Sequence, residues 1–291
     1  MRNTKIIAIF YMLLSMISTQ LSASMAKHMI LELDALTVTI FRLFFAAILS
    51  FFLFRSWRVL SKLKYINRSD LLFYTLSLGV MNTLFYFSLG ELPQGIAVGL
   101  EFTGPLLLAL VSIKQRRDYI WVSFAILGIL LMVPWQEAIQ LNFSMVGAMY
   151  ALGAGFCWAF YIYYGQRVAT QNLGVHALSL ALCLSSIVIL PLGFIYNPTP
   201  LLKPDYWFQG LVIAFFAAAF PYTLDILVLK QLSKISYGTL SSLAPALAAL
   251  SGLIFLHEHL NLFQWIALGL IMIASIGVTL RKEQIHCPSK P

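Results

Sequence analysis

Three ionisable side chains, Arg42, Glu101 and Asp225, fall inside stretches of sequence that are otherwise apolar. A charge within a lipid-embedded helix costs about 2.5–3.5 kcal/mol on insertion scales, so by default it marks a pathway or a paired site. Glu101 is suited to face an ammonium group and Arg42 a carboxylate. Gln20 and Asn82 can add hydrogen bonds, and Tyr86 lies one helical turn beyond Asn82. These residue types together describe a site for a zwitterion. A carboxylate held among apolar groups can also take up and release a proton near neutral pH, which makes Glu101 the candidate carrier of a coupling proton. Asp225 is a second candidate for that role, an inner gate, or a partner of Lys230 or Lys234. A plainer reading stays open: Arg42 and Glu101 pair with each other, or Arg42 reaches out to the membrane surface. Trp158, Tyr161 and Tyr222 complete the set as rings that touch the apolar part of a substrate or offer its ammonium a cation–π face. The same rings serve equally well packed in a bundle or turned to lipid.

The chain that must position these groups has 291 residues, of which 60% are hydrophobic, 14% aromatic and 10% charged; its mean hydropathy is +0.85. Soluble domains carry about 25% charge, so this is a membrane protein. A spanning helix needs roughly 20 apolar residues, and about ten of them consume most of the chain and leave no separate soluble domain. Apolar runs of that length, in place of short alternating segments, exclude an outer-membrane barrel. The net charge of +8 does not point to nucleic acid, because the basic residues sit in short connectors between apolar runs. Cys157, Cys183 and Cys287 show no CxxC or Cys/His spacing, so neither a disulfide framework nor a metal site is expected. The paired histidines of His257-Glu258-His259 lack a third ligand.

Breaks at charged, proline and glycine residues predict ten spans, at about 6–26, 35–54, 71–89, 95–113, 119–134, 146–165, 175–195, 207–229, 236–256 and 262–280. With the amino terminus in the cytoplasm, the inner side receives Arg2, Lys5, the basic cluster at 55–68, Lys114, Arg116, Arg117, Arg167, Lys230, Lys234, Arg281, Lys282 and Lys290. The outer side receives only Lys27 and Lys203. The positive-inside rule therefore places both termini in the cytoplasm. Arg2 and Lys5 before an apolar run, with small residues at 22–24, resemble a secretory signal, but a counterpart of this run recurs mid-chain, so it is read as a span.

Shifting the chain against itself by 140 residues aligns FSLGEL at 87–92 with LVLKQL at 227–232, Pro105 with Pro245, Lys27 with Arg167, and Asp118 with Glu258. Two halves of five helices follow, a first repeat over 1–140 and a second over 141–291 that ends in a short cytoplasmic tail. Because five is odd, the second enters the membrane from the other side. Inverted repeats of this kind suit alternating access around a midplane site. The fold class expected is thus an all-α polytopic membrane protein of ten transmembrane helices in two inverted repeats. Gln20, Arg42, Asn82 and Glu101 have counterparts Phe160, Leu182, Tyr222 and Ser241, so the polar layer belongs to the first half alone, as a functional lining would. Pro105 and Pro245 predict matched kinks in the fourth and ninth spans, and Pro221 another in the eighth.

The segments GIAVGLEFTGPL at 95–106, GTLSSLAPALAA at 238–249, ALGAGFCWA at 151–159 and Gly165-Gln166-Arg167 carry a family resemblance. The organisation resembles the drug/metabolite transporter superfamily with tandem EamA domains, and within it the branch that exports threonine and homoserine. Asp225 and His257 depart from that branch, which has Glu and Gly there. The resemblance implies an inner-membrane exporter of small neutral amino acids driven by protons, with a small-molecule substrate and the lipid bilayer as its partners, as a monomer or homodimer. It also leaves room for another metabolite, such as a purine, S-adenosylmethionine or a cationic drug, moving in either direction. A membrane scaffold or scramblase would need no acid–base pair inside the bundle. No Walker loop, dinucleotide fingerprint or nucleophile elbow occurs, so neither enzymatic chemistry nor a cofactor is expected.

Overall fold

The computed structural model describes residues 2–65, 67–106, 119–132, 143–168, 175–229 and 240–286, and all regular structure among them is helical. Among the described residues six helices are long and apolar enough to cross a membrane: Ile6–Glu32, Ala35–Leu53, Arg68–Glu91, Met145–Gly165, His176–Tyr196 and Pro204–Leu224. The elements are α1 (Arg2–Glu32), α2 (Ala35–Leu53), α3 (Arg68–Glu91), α4 (Gln94–Glu101), α5 (Tyr119–Met132), α6 (Met145–Val168), α7 (Val175–Tyr196), α8 (Pro204–Ala214), α9 (Phe220–Leu229), α10 (Ala244–Phe255) and α11 (Leu262–His286). A 3-10 segment, Ser56–Tyr65, follows α2, and a π segment, Phe215–Ala219, joins α8 to α9. Sharp starts have local causes: Asp34 caps α2 by accepting from the Thr37 amide at 2.7 Å, and Asn67 caps α3 through the Ser69 amide.

The fourth and ninth spans differ from the continuous, kinked helices expected. α4 stops at Glu101, Phe102 is a turn, and helix resumes over 103–106. In the later segment the chain is helical at 240–241, turns at Ser242 and Leu243, and resumes as α10. The two breaks lie 140 residues apart. Proline has no amide hydrogen, so Pro105 leaves the Glu101 carbonyl and Pro245 the Ser241 carbonyl without their helical donors. The disruption consequently falls one turn before each proline. Pro221 acts differently: the preceding turn widens to π, with the Phe220 amide bonding the Phe215 carbonyl. Serines spaced along one face of α1 serve carbonyls of this strained helix, Ser18 bonding that of Phe216 at 2.7 Å and Ser22 that of Ile213 at 2.9 Å.

Packing follows glycines and small residues. α3 and α6 run antiparallel, with Gly147 against Glu91 and Leu92 at one end, Gly153 against Leu84, and Gly165 against Tyr74 toward the other. α2 packs on α7, where Gly193 admits Ile40. α1 lies along α8 and α9, α4 along α10, and α5 along α11, where Gly128 meets Ile271 and Gly277 meets Trp121. Each of these five pairings joins a helix that precedes residue 140 to one that follows it. His257, at the position where the resemblance expects glycine, holds φ at 54°, in the left-handed region that favours glycine.

Candidate functional site

Glu101 ends α4 at the break and is 8% exposed. The break is held against α6 by a backbone contact: a Cβ on Gly155 would run into the Glu101 carbonyl, and one on Gly104 into that of Gly155. Only paired glycines let the two backbones approach this closely. From α2, the Arg42 guanidinium lies over the Tyr86 ring of α3, 5.3 Å from its centroid. Arg42 Nε is buried with no hydrogen-bond partner. Among the described residues the ion pairs are Lys27–Glu258 and Arg167–Asp70, so Arg42 and Glu101 do not neutralise each other by direct contact. Both still lie in electrostatic range of Tyr86, as does Tyr222 of α9.

Asn82 is buried one turn before Tyr86 and donates to the Leu78 carbonyl at 2.7 Å. Extending the same i, i+4 face of α3 by two turns reaches Tyr74, which the sequence reading passed over. Its ring stacks on Tyr161 at 4.8 Å, the two are hydrogen-bonded, and Tyr222 lies in electrostatic range. The signal was present in the 74, 78, 82, 86 spacing, but a tyrosine in an apolar run attracts no notice until its neighbours are known. Trp158 meets Phe102, the residue at the break, edge to face at 5.8 Å. Arg42, Tyr86, Glu101, Trp158, Tyr161 and Tyr222 thus bring five elements, α2, α3, α4, α6 and α9, around one locus.

Gln20 joins a different group. α1 runs on to Glu32, beyond the expected end of the first span, and Gln20 meets the first turn of α4. Gln94 donates through Nε2 to the Gln20 carbonyl at 2.9 Å and to its side-chain oxygen at 3.2 Å. Gln94 precedes Glu101 by seven residues, about 10 Å along a helix, so Gln20 and Glu101 do not share one layer as expected. The side chain of Asp225 lies outside the described residues, as do Lys230 and Lys234; only its place in the α9 backbone is known. Pro105 and Pro245 flank the two breaks and Pro221 follows the π segment. At the far end of α3, Asp70 takes Arg167 at 3.2 Å. The hydrogen bond that the Arg167 guanidinium donates to the Tyr163 hydroxyl at 3.4 Å, and then the charge of Asp70, hold Arg167 above the ordinary arginine range.

A multi-pass helical bundle with broken helices and charged side chains within its apolar segments is the construction of a membrane transporter. The chain belongs to the EamA-like transporter family, which matches residues 145–280. It is 39% identical over 277 residues, 94% of this chain and 92% of the relative, to the threonine/homoserine exporter RhtA of Escherichia coli K12. The protein of that name from Salmonella typhimurium LT2 is 40% identical over the same shares. The uncharacterized inner membrane transporter YedA of Escherichia coli K12 is 25% identical over 69% of this chain and 66% of its own. One crystal structure shares the fold over 99% of both chains, with a TM-score of 0.63 at 16% identity. The protein is accordingly a multi-pass transporter of the bacterial inner membrane, and not an enzyme.

Proposed function

We propose that the chain exports small neutral amino acids of the threonine and homoserine type, coupled to protons, by alternating access of two inverted five-helix repeats spanning 1–140 and 141–291. The observation that carries the substrate reading is the Arg42 guanidinium, buried at Nε without a partner beside a buried Glu101 that it does not contact. A zwitterion supplies both missing counter-charges at once, its carboxylate to Arg42 and its ammonium to Glu101, with Tyr86, Trp158, Tyr161 and Tyr222 as walls for the apolar part. The names of the RhtA relatives, similar along nearly the whole chain, support amino-acid export. The inverted repeat draws support from the matched breaks at Phe102 and Ser242 and from the pairing of helices across residue 140. The positive-inside count supports cytoplasmic termini.

Export proceeds in this reading with the inner side open. The amino acid enters, its ammonium meets ionised Glu101, and the repeats rock about the broken helices. A proton from the outer side neutralises Glu101 and releases the ammonium; return of the protonated carrier resets it. Asp225 is the candidate for passing the proton on toward the cytoplasm. The test is efflux of labelled threonine or homoserine from loaded vesicles under an imposed pH gradient, against competing purines, S-adenosylmethionine and cationic drugs. Gradient-dependent efflux of the amino acids, lost in Glu101→Gln, is expected. Undiminished coupled efflux by Glu101→Gln removes the proton role, and transport of a competitor in place of the amino acids overturns the substrate assignment.

A further inference from the structure

Away from the Arg42–Glu101 locus, the densest polar cluster ties three elements together at the outer end of the bundle. Lys27 Nζ of α1 donates to the Leu92 carbonyl at 2.5 Å and meets Glu258 Oε1 at 2.6 Å. Glu258 lies in the turn between α10 and α11, and its other oxygen accepts from the Gln94 amide at 2.6 Å. That amide opens α4, where a carboxylate is favoured by the helix dipole. Beneath the pair, Ser24 Oγ lies 2.7 Å from both Gln94 Oε1 and Ser251 Oγ.

The two charged side chains are only 13% and 14% exposed. The contrast is Arg167, which occupies the position of Lys27 in the second half: its side chain is 49% exposed, and it bonds Asp70 of α3 in its own end of the bundle. The Lys27–Glu258 pair crosses from an element before residue 140 to one after it, and through the Gln94 amide it holds the start of α4, the helix that ends at Glu101. α1, the α4 start and the α10–α11 turn cannot part while it is formed.

We propose that Lys27, Glu258 and the α4 terminus at Gln94 form the outer gate of this transporter, and that release of substrate to the outside requires the Lys27–Glu258 pair to break. The proposal rests on the alternating-access reading. It is tested with a reporter, Ser251→Cys, in a chain carrying Cys157→Ser, Cys183→Ser and Cys287→Ser, labelled in right-side-out vesicles by a membrane-impermeant maleimide. Glu258→Gln and Lys27→Met are expected to label about tenfold faster than the reporter alone, a shift of one decade in the open population, while Lys27→Arg, which keeps the charge, stays at the reporter's rate. Parent-like labelling in both neutralised variants, or Lys27→Arg labelling as fast as Lys27→Met, overturns the gate. If Lys27→Met does not accumulate in membranes, the comparison of Glu258→Gln with Lys27→Arg decides alone. Labelling needs no substrate, so its failure removes the gate and leaves amino-acid export standing, whereas absent threonine efflux with normal gating overturns only the substrate reading.

Discussion

At the scale of single residues, the proposed chemistry of this transporter reduces to one cation, Arg42, and one anion, Glu101, that share no ion pair. Burying a polar group without a partner costs about 1–3 kcal/mol, and Arg42 Nε bears that cost in this structure. A ligand carboxylate would repay it. Replacing Arg42 by Gln is therefore expected to weaken amino-acid binding about ten- to hundredfold, the loss of a hydrogen bond between charged groups worth about 1.5–3 kcal/mol, read as a rise in the KM of efflux. Unchanged KM would detach Arg42 from the substrate. Both Arg42 and Glu101 were legible as charges in apolar runs, because the cost of a charge in lipid makes it conspicuous. Tyr74, Lys27 and Gln94 were not, since their significance lies in what faces them and not in their type.

At the scale of elements, the proposed rocking depends on helices that break at Phe102 and at Ser242–Leu243. Pro105 withdraws the donor from the Glu101 carbonyl, and the Gly104–Gly155 contact presses the resulting turn onto α6. The break is thus built jointly by a proline that sequence displays and a glycine on another helix that it does not. Gly155→Leu must push α4 away from α6; overpacking of this sort costs about 1–3 kcal/mol. The expected result is a lower Tm in detergent together with loss of efflux, while Gly269→Leu, at a position with open space around it, leaves both near the parent values. Equal behaviour of the two variants would deny the contact its importance. Kinks were the expectation from Pro105 and Pro245, but the amide lost is bonded four residues earlier, which puts the disruption at Glu101 and Ser241 and makes it a break.

At the scale of the whole molecule, five helix pairings each cross residue 140, and two clusters of charge mark opposite ends: Lys27 with Glu258, and Arg167 with Asp70. In the proposed topology, Lys203→Cys reacts with an impermeant thiol reagent applied to intact cells, and Arg58→Cys reacts only after permeabilisation; the reverse pattern would invert the protein in the membrane. Sequence by itself determined that this chain lives in a bilayer, how its connectors are charged, and which side chains stand out as charges within apolar runs, because hydrophobic length, charge asymmetry and the cost of buried ions are all properties of local sequence. Tertiary structure alone decided that Arg42 and Glu101 stand unpaired, that Gln20 belongs with Gln94 and not with Glu101, and that Lys27 finds Glu258 across 231 residues. Distances between groups remote in sequence follow from how helices pack, and packing is settled by the fit of many small surfaces that no single segment contains.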